Sequence, residues 1–391
     1  MGKNFLHSPG VFFVSSYPPR RCGIATFTYD LMSAVSELQE KAPGQNKIAR
    51  VVALTDVPEG YHYPKEVIFE INDQQRPDYR EAAHFLNFSD AEVVCLQHEF
   101  GIFGGENGIY ILDLLRDLKK PVITTLHRVV KEPQKEQYDI LRALCHYSIF
   151  VVVLTKKAVE FLKNVYGIPR KKILMIRHGA PNAPFFNPSE YKAQLQAEGR
   201  PLMLTFGLIT PNKGIETAIE AIVSVAQEFP EVLYLVVGAT HPRFLRQFGE
   251  EYRRSLEKKV RQYGLEKQVV FHNEFVSPRM LITYMAAADI YLTPYRSREQ
   301  ISSGTLTQAL ACGKAIVSTP YWYAQELLAN ERGRLVPFGD AKTMAEEIIY
   351  LLKNKSERET LRRRAYQFGR RMIWPRVARS YLAVFKRALE E

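Results

Sequence analysis

Two segments in the carboxyl-terminal half of the chain have residue types and spacing suited to holding a phosphate. In FGLITPNKG a strand-forming run ends, the chain turns, and Lys213 stands beside a helix start at Gly214. Backbone N–H groups and the helix dipole favour an anion at such a point, and a lysine adds a full charge. A lysine before a glycine is also an ordinary solvated turn. In PYRSREQISSGTLTQALACG a strand ends at Pro294 and Tyr295, and Ser302, Ser303, Gly304 and Thr305 open the next helix. That turn offers backbone donors, three hydroxyls and a second dipole to a phosphate oxygen; the bland alternative is that its hydroxyls only cap the helix. Both segments follow strands, the position at which open α/β sheets bind ligands, and this favours the phosphate reading for the pair.

The amino-terminal half offers a glycine and histidines. Gly23, in SSYPPRRCGIATFTYDL, precedes a helix and lets a backbone approach a ligand closely. His98 ends AEVVCLQH and His127 ends PVITTLH, so both stand at carboxyl ends of strands. A lone histidine is more often structural than functional, but two at equivalent edges favour a site. Between them GIFGGENG reads as a flexible loop carrying Glu106, suited to a mobile acceptor-side segment. His178, in RHGAP, lies near a linker and serves equally well as a hinge residue.

The elements that must position these residues are those of parallel sheets. Short apolar runs such as VFFVSS, ARVVALT, AEVVCLQH and PVITTLH alternate with amphipathic helical stretches, lose their periodicity in KILMIRHGAPNAPFFNPSEY, and restart with PLMLTFGL, VLYLVVGA and DIYLTPY. The pattern predicts an α/β chain of two doubly wound, Rossmann-like domains, residues 1–186 and 187–373. The last helix, 374–391, is expected to pack back on the first domain. Carboxyl ends of both strand sets are then free to face one cleft.

Composition bounds the partners. The chain has 391 residues, 46% hydrophobic and 24% charged, the balance of a soluble globular protein. The amino-terminus lacks the features of a secretory signal, and no apolar run approaches the roughly 20 residues of a membrane span, which predicts a cytoplasmic protein. Cys22, Cys95, Cys145 and Cys312 are far apart and form no C-x-x-C pair, which argues against a zinc site and a disulfide framework; no metal is expected. A net charge of +11 attracts anions, but neither zinc-finger spacing nor RNA-recognition strands accompany it, so a nucleic-acid partner is not expected.

In this order the pieces resemble the retaining glycosyltransferases of family 4, of the GT-B fold and the glycosyl transferases group 1, along nearly the whole chain. PPRRCGIATFTYDL resembles the family's glycine loop and first helix, TTLH the segment whose histidine lies beside the donor sugar, and RHGAP the linker element. GLITPNKG resembles the phosphate segment, VVFHNEF, with Phe271 and Asn273, the nucleobase-contacting strand and loop, and QALACGKAIVST the helix after the sugar-binding loop. The resemblance implies a metal-independent retaining hexosyltransferase without a cofactor, acting on a nucleotide sugar and a carbohydrate or lipid-linked acceptor. A lipid-linked acceptor implies contact with the inner face of the membrane. His127, Lys213 and Gln300 are its expected catalytic residues. Gly23, Lys213, Phe271, Asn273, Gln300, Ser302, Ser303, Gly304, Thr305 and Gln308 are expected to bind the donor, and His98 and Glu106 to face the acceptor.

Two departures accompany the resemblance. Gln300 and Gln308 stand where the family's Glu-x7-Glu motif has carboxylates, and an amide keeps the hydrogen bonds without the charge. Leu208 stands where the family has a phosphate-binding arginine, which leaves Lys213, with Arg296 or Arg298 as substitutes. These losses also admit a phosphorylase that uses sugar phosphates, or a binder of sugar nucleotides without catalysis.

Overall fold

The computed structural model describes residues 9–41 and 49–391; residues 1–8, with which the reading of the amino-terminus began, lie outside them. Among the described residues the first sheet has strands β1 (Val11–Ser15), β2 (Arg50–Thr55), β3 (Val67–Asn72), β4 (Val93–His98), β5 (Val122–Leu126), β6 (Phe150–Val153) and β7 (Ile173–Met175). Their order is β3-β2-β1-β4-β5-β6-β7, and neighbours run parallel. The second sheet has β8 (Leu202–Phe206), β9 (Leu233–Val237), β10 (Val269–His272), β11 (Ile290–Thr293), β12 (Ala315–Ser318) and β13 (Arg334–Leu335), in the order β10-β9-β8-β11-β12-β13. Central strands such as VFFVS and LYLVV are buried at every residue, which is why they read as unbroken apolar runs and not as alternations.

In each sheet the strand order reverses once, between β1 and β4 and between β8 and β11. Connections leave these neighbouring strands in opposite directions, and the gap between them at the carboxyl edge is where such sheets receive ligands. The loop before Gly23 follows β1 and His98 ends β4; Lys213 follows β8 and the Ser302–Thr305 turn follows β11. The residues singled out from the sequence therefore stand beside the two switch points.

The chain divides into two compact units, one ending at Gly179 and completed by Trp374–Glu391, the other spanning Ala180–Ile373. Residues 180–186, placed by the sequence in the first domain, belong to the second because their bonds lie there. The amide of Ala180 donates to the Met372 carbonyl (2.8 Å), Phe185 packs edge-on against Tyr366 (5.2 Å between centroids), and Arg362 donates to the Phe186 carbonyl. Trp374–Ala388 is amphipathic, and its buried face includes Trp374, Val377, Ala378, Tyr381 and Phe385. Within the first unit Phe385 meets Phe13 edge-on (6.5 Å), and the Tyr381 hydroxyl shares a hydrogen bond of 2.9 Å with Thr125 of β5. Among the described residues no helix is long and apolar enough to cross a membrane.

Packing in the second unit leaves no room at Gly369, the last residue of the helix Lys355–Gly369. A Cβ there would stand 2.5 Å from the Ala311 Cα of the neighbouring helix Gly304–Ala311. Alanine gains up to about 1 kcal/mol over glycine inside a helix, but overpacking costs about 1–3 kcal/mol. Gly369→Ala is therefore expected to lower the stability of the second unit in a urea melt. Equal or greater stability would show that these two helices separate at little cost.

Candidate functional site

At the β8/β11 switch point three loops converge. Gly207, directly after β8, has φ +121°, and a Cβ on it would lie 3.0 Å from the Thr305 methyl carbon and 3.3 Å from Lys213 Nζ. Pro211–Lys213 form one 3-10 turn that ends at Gly214 with φ +61°. A Cβ at Gly214 would fall 2.0 Å from the Pro294 carbonyl oxygen, so glycine is required there by both dihedral and space. This turn starts the helix Ile215–Glu228 and directs Lys213 across to the end of β11.

Lys213 Nζ donates to the Tyr295 hydroxyl at 2.5 Å and lies 4.4 Å from the centroid of that ring. The same hydroxyl has Thr305 Oγ1 at 3.2 Å and Ser303 Oγ at 3.4 Å. Tyr295 is buried and stacked on Tyr321, 4.8 Å between centroids and 13° from parallel. Burial by itself would raise the phenol pKa, but the Lys213 ammonium and the surrounding hydroxyls outweigh it and hold the group below its ordinary value. Ser303 caps the helix Gly304–Ala311 by accepting from the Leu306 amide (3.3 Å). The capping reading of this turn is thus correct for Ser303. It does not compete with the phosphate reading, because a hydroxyl that accepts at the cap still has its proton to donate, and the first amides of a helix have no partner within it.

Asn212 ties the two segments together. Its carbonyl accepts from the Arg296 amide (3.0 Å), its Oδ1 from the Ser297 amide (2.9 Å), and its Nδ2 reaches Gln300 Oε1 at 3.4 Å. Gln300 Nε2 in turn donates to the Ser302 carbonyl at 2.6 Å, so this side chain braces the loop. Gln308, two turns on, is half-buried, and its Oε1 has no hydrogen-bond partner. The expectation that Arg296 offers its charge to a phosphate is corrected: its guanidinium pairs with Glu216 of the adjacent helix at 2.5 Å. Arg298 is exposed. Phe271 and Asn273 stand apart on the edge strand β10 and its following loop, Phe271 against the core and Asn273 exposed with Nδ2 3.4 Å from Glu250.

In the first unit Gly23 is the first residue of the helix Gly23–Glu40, exposed, with nothing within 4 Å of the place a Cβ would occupy. Cys22 caps that helix, its Sγ accepting from the Ala25 amide at 3.2 Å. His127 Nε2 lies 2.9 Å from Gln97 Oε1, and His178 Nδ1 lies 2.7 Å from the Gly179 carbonyl. Both rings meet the face or edge of Phe27, at 4.6 and 4.9 Å between centroids. His98 is fully buried between Phe100 and Phe103, and neither ring nitrogen has a partner. Burial pushes the imidazolium pKa down to about 3 for His98 and His127 and about 4 for His178. All three are neutral near pH 7, fit to share hydrogen bonds and unfit to supply a charge.

The glycine-rich loop is not slack. Gly104 is buried and its amide donates to the Tyr79 hydroxyl at 2.9 Å; a Cβ there would overlap the Asp73 carbonyl oxygen at 1.6 Å. These glycines allow close packing and positive φ, and the reading of the loop as flexible is corrected on that ground; Glu106 is exposed on it. Tyr295, Asn212 and Gly207 escaped the sequence reading, since their partners lie on loops joined only through the sheet. Among the described residues no group of three or more His, Cys, Asp or Glu side chains is placed to share a metal ion.

Two parallel-sheet units with convergent loops at their switch points are the architecture of a GT-B glycosyltransferase. The Anabaena protein HepE, solved in complex with UDP and glucose, has this fold: TM-score 0.74, 16% identity, with 97% of this chain and 100% of that one covered. More particularly, residues 187–368 match the family Glycosyl transferases group 1. An uncharacterized glycosyltransferase of Methanocaldococcus jannaschii is 27% identical over 241 residues, 61% of this chain and 58% of that one. The phosphatidyl-myo-inositol mannosyltransferase of Mycolicibacterium smegmatis is 27% identical over 190 residues, 48% of this chain and 45% of that one. The chain thus spans about half the length of the curated relatives it matches.

The buried histidines make the first unit acid-sensitive. Unfolded, each takes a proton near pH 6.5, whereas the folded unit keeps His98 and His127 neutral down to about pH 3. Fewer protons are bound folded than unfolded across that window, so their stabilisation is complete above about pH 6.5 and drains away as the pH falls. Asp30, whose carboxyl burial raises to about 7, works in the opposite sense between roughly pH 4 and 7, one group against three. Urea melts at pH 7.5, 6 and 5 are expected to show falling stability. His98→Leu should flatten that slope by up to about 1.4 kcal/mol per pH unit; an unchanged slope would mean that His98 is protonated in the folded unit.

Proposed function

We propose that this chain transfers a hexosyl group from a nucleotide-sugar donor to a carbohydrate or lipid-linked acceptor, with retention of anomeric configuration. The observation that carries the reading is the convergence of Lys213, Tyr295 and the Ser302–Thr305 turn at the β8/β11 switch point, inside the segment that matches the glycosyltransferase family. Breaking a sugar–phosphate bond leaves charge on the departing diphosphate, and preorganised donors aimed at that charge are the largest catalytic lever available. Lys213 supplies a full charge, the amides at the start of the helix Gly304–Ala311 supply partial charges, and the hydroxyls of the turn supply hydrogen bonds. Tyr295 is the positioning residue: its hydroxyl and ring hold the ammonium over the turn. The Gln308 amide oxygen, buried and unpartnered, suits a ribose hydroxyl, and Gln300 acts by bracing the loop. Phe271 and Asn273 keep the nucleobase role. On the first unit His127 and Gly23 are assigned to the donor and Glu106 to the acceptor; the expectation that His98 faces the acceptor is corrected, because its ring is fully buried between Phe100 and Phe103. The reaction so read needs neither cofactor nor metal, and a lipid-linked acceptor brings the chain to a membrane face.

A thermal-shift panel of UDP, GDP, ADP and their sugar conjugates tests the reading, since a ligand present at a hundred times its Kd stabilises the native state by about 2.7 kcal/mol. One nucleotide is expected to shift wild type and to leave Lys213→Ala unmoved. Once a donor is known, Lys213→Ala should lose a hundredfold or more in kcat, by comparison with the loss of about 10²–10³ on removing an oxyanion donor elsewhere. No shift with any member of the panel would overturn the donor class. Tyr295→Phe keeps the stack on Tyr321 and removes only the hydroxyl; turnover about tenfold lower is expected, on the order of one charge-assisted hydrogen bond. Unchanged turnover would show that Lys213 needs no anchor.

A further inference from the structure

The second unit has a cavity of about 230 Å³ lined by residues that include Lys192, Asp289, Lys355, Arg358, Glu359 and Arg362. Asp289 directly precedes β11 and takes the amide of Leu202, the first residue of β8, at 2.8 Å. The cavity therefore lies at the amino-terminal edge of the sheet, the edge opposite to Lys213. Lys355, Arg358, Glu359 and Arg362 stand at i, i+3, i+4 and i+7 on the helix Lys355–Gly369 and so share one face of it. A single water needs about 10–15 Å³ on this measure, so the space takes a small organic molecule.

Its charges do not balance. Lys192 pairs with Asp289 at 2.7 Å, and Arg362 pairs with Glu359 at 2.8 Å while also donating to the carbonyls of Gly313 and Phe186. Two cations are left over. Arg358 spends Nη1 on the carbonyls of Leu351 and Leu352, which leaves Nε and Nη2. Lys355 is exposed and makes no ion pair among the described residues. Behind them Lys314 is fully buried, its Nζ held by the carbonyls of Ala286 and Ala288 at 3.1 and 3.0 Å. Burial, with Arg362 adding to it, pushes the Lys314 ammonium down to about 7, with Asp289 opposing the shift. Asn187, which also lines the cavity, donates from Nδ2 to Glu190 at 3.1 Å.

We propose that this cavity binds a phosphate dianion, free or carried by a small phosphomonoester, through Lys355 Nζ and the Nε and Nη2 atoms of Arg358. The two paired carboxylates stay in place, and the dianion matches the two leftover cations in number. A guanidinium with two donors side by side suits phosphate oxygens. This site is independent of the donor reading, because no residue of it belongs to the Lys213 edge.

Titration calorimetry on the full chain, with inorganic phosphate, glycerol 3-phosphate and glycerol at low ionic strength, tests the proposal. Both anions or one of them should bind and glycerol should not; tighter glycerol 3-phosphate would make the ligand a phosphomonoester, and phosphate alone a free ion. Lys355→Gln/Arg358→Gln is expected to weaken binding at least tenfold, and Lys213→Ala to leave it unchanged. Because Arg358 also caps the preceding helix, Lys355→Gln alone is the second variant, with several-fold weaker binding at an unchanged melting temperature. Absence of heat with either anion at millimolar concentration would overturn the site. So would binding that Lys213→Ala abolishes and Lys355→Gln leaves intact, which would assign the phosphate to the other edge.

Discussion

Parallel strands can be joined only by crossovers, and a parallel sheet must be covered by helices on both faces. A chain that covers both faces has to reverse its strand order once, and at that point two loops leave neighbouring strands on opposite sides. The arrangement at the Lys213 edge of the second unit rests on this constraint. Lys213 and Tyr295 are 82 residues apart, yet they touch because β8 and β11 are hydrogen-bonded neighbours at the reversal. Gly207 and Gly214 are the local consequence: loops brought this close leave a Cβ tight against Thr305 and Lys213 at one position and no room against the Pro294 carbonyl at the other.

The placement of Lys213 then follows from electrostatics. A lysine at a helix start faces amide dipoles whose positive ends repel it, so it needs an acceptor of its own. A carboxylate would neutralise it, and at an effective dielectric near 20 a pair 4 Å apart is worth about 4 kcal/mol, which an incoming phosphate would have to displace. The phenol of Tyr295 offers an oxygen and a ring face without a net charge, so the ammonium is held and its charge is kept. Stacking on Tyr321 fixes the phenol from behind, and that ring is itself anchored by a hydrogen bond of 2.8 Å to Thr293.

Much of this was legible in the sequence, and the rest was not for identifiable reasons. The two sheets could be read because strands buried on both faces are written as apolar runs, and Lys213 and Ser302–Thr305 could be read because strand ends in such sheets carry ligands. Asn212 could not, since its value lies in bonds to Arg296, Ser297 and Gln300, which only the β8–β11 pairing brings near. Arg296 was misjudged for the same reason: the sequence shows a free cation near a phosphate turn, and the fold sets Glu216 beside it. GIFGGENG looked flexible because glycine permits freedom, whereas here it permits contact. The Pro- and Asn-rich segment marked a boundary at residue 186, seven residues past Gly179, because its bonds to Met372, Tyr366 and Arg362 assign residues 180–186 to the second unit.

One choice of partners recurs through the second unit. Arg358 is held by two backbone carbonyls, Arg370 by those of Ala183 and Ala311, and Lys213 by a phenol. A carbonyl or a hydroxyl satisfies the donors of a cation without cancelling its charge, so burial is tolerated while the positive potential persists. In a chain with a net charge of +11 this amounts to storage of potential at chosen places, because the exposed cations are screened by salt over about 10 Å and the buried ones much less. An anion entering either edge of the second sheet meets donors that are already oriented and carboxylates that need not move. Selectivity between the two edges then rests on shape: at one, amides and hydroxyls of a helix start around a single ammonium; at the other, a guanidinium and an ammonium lining a partly open cavity.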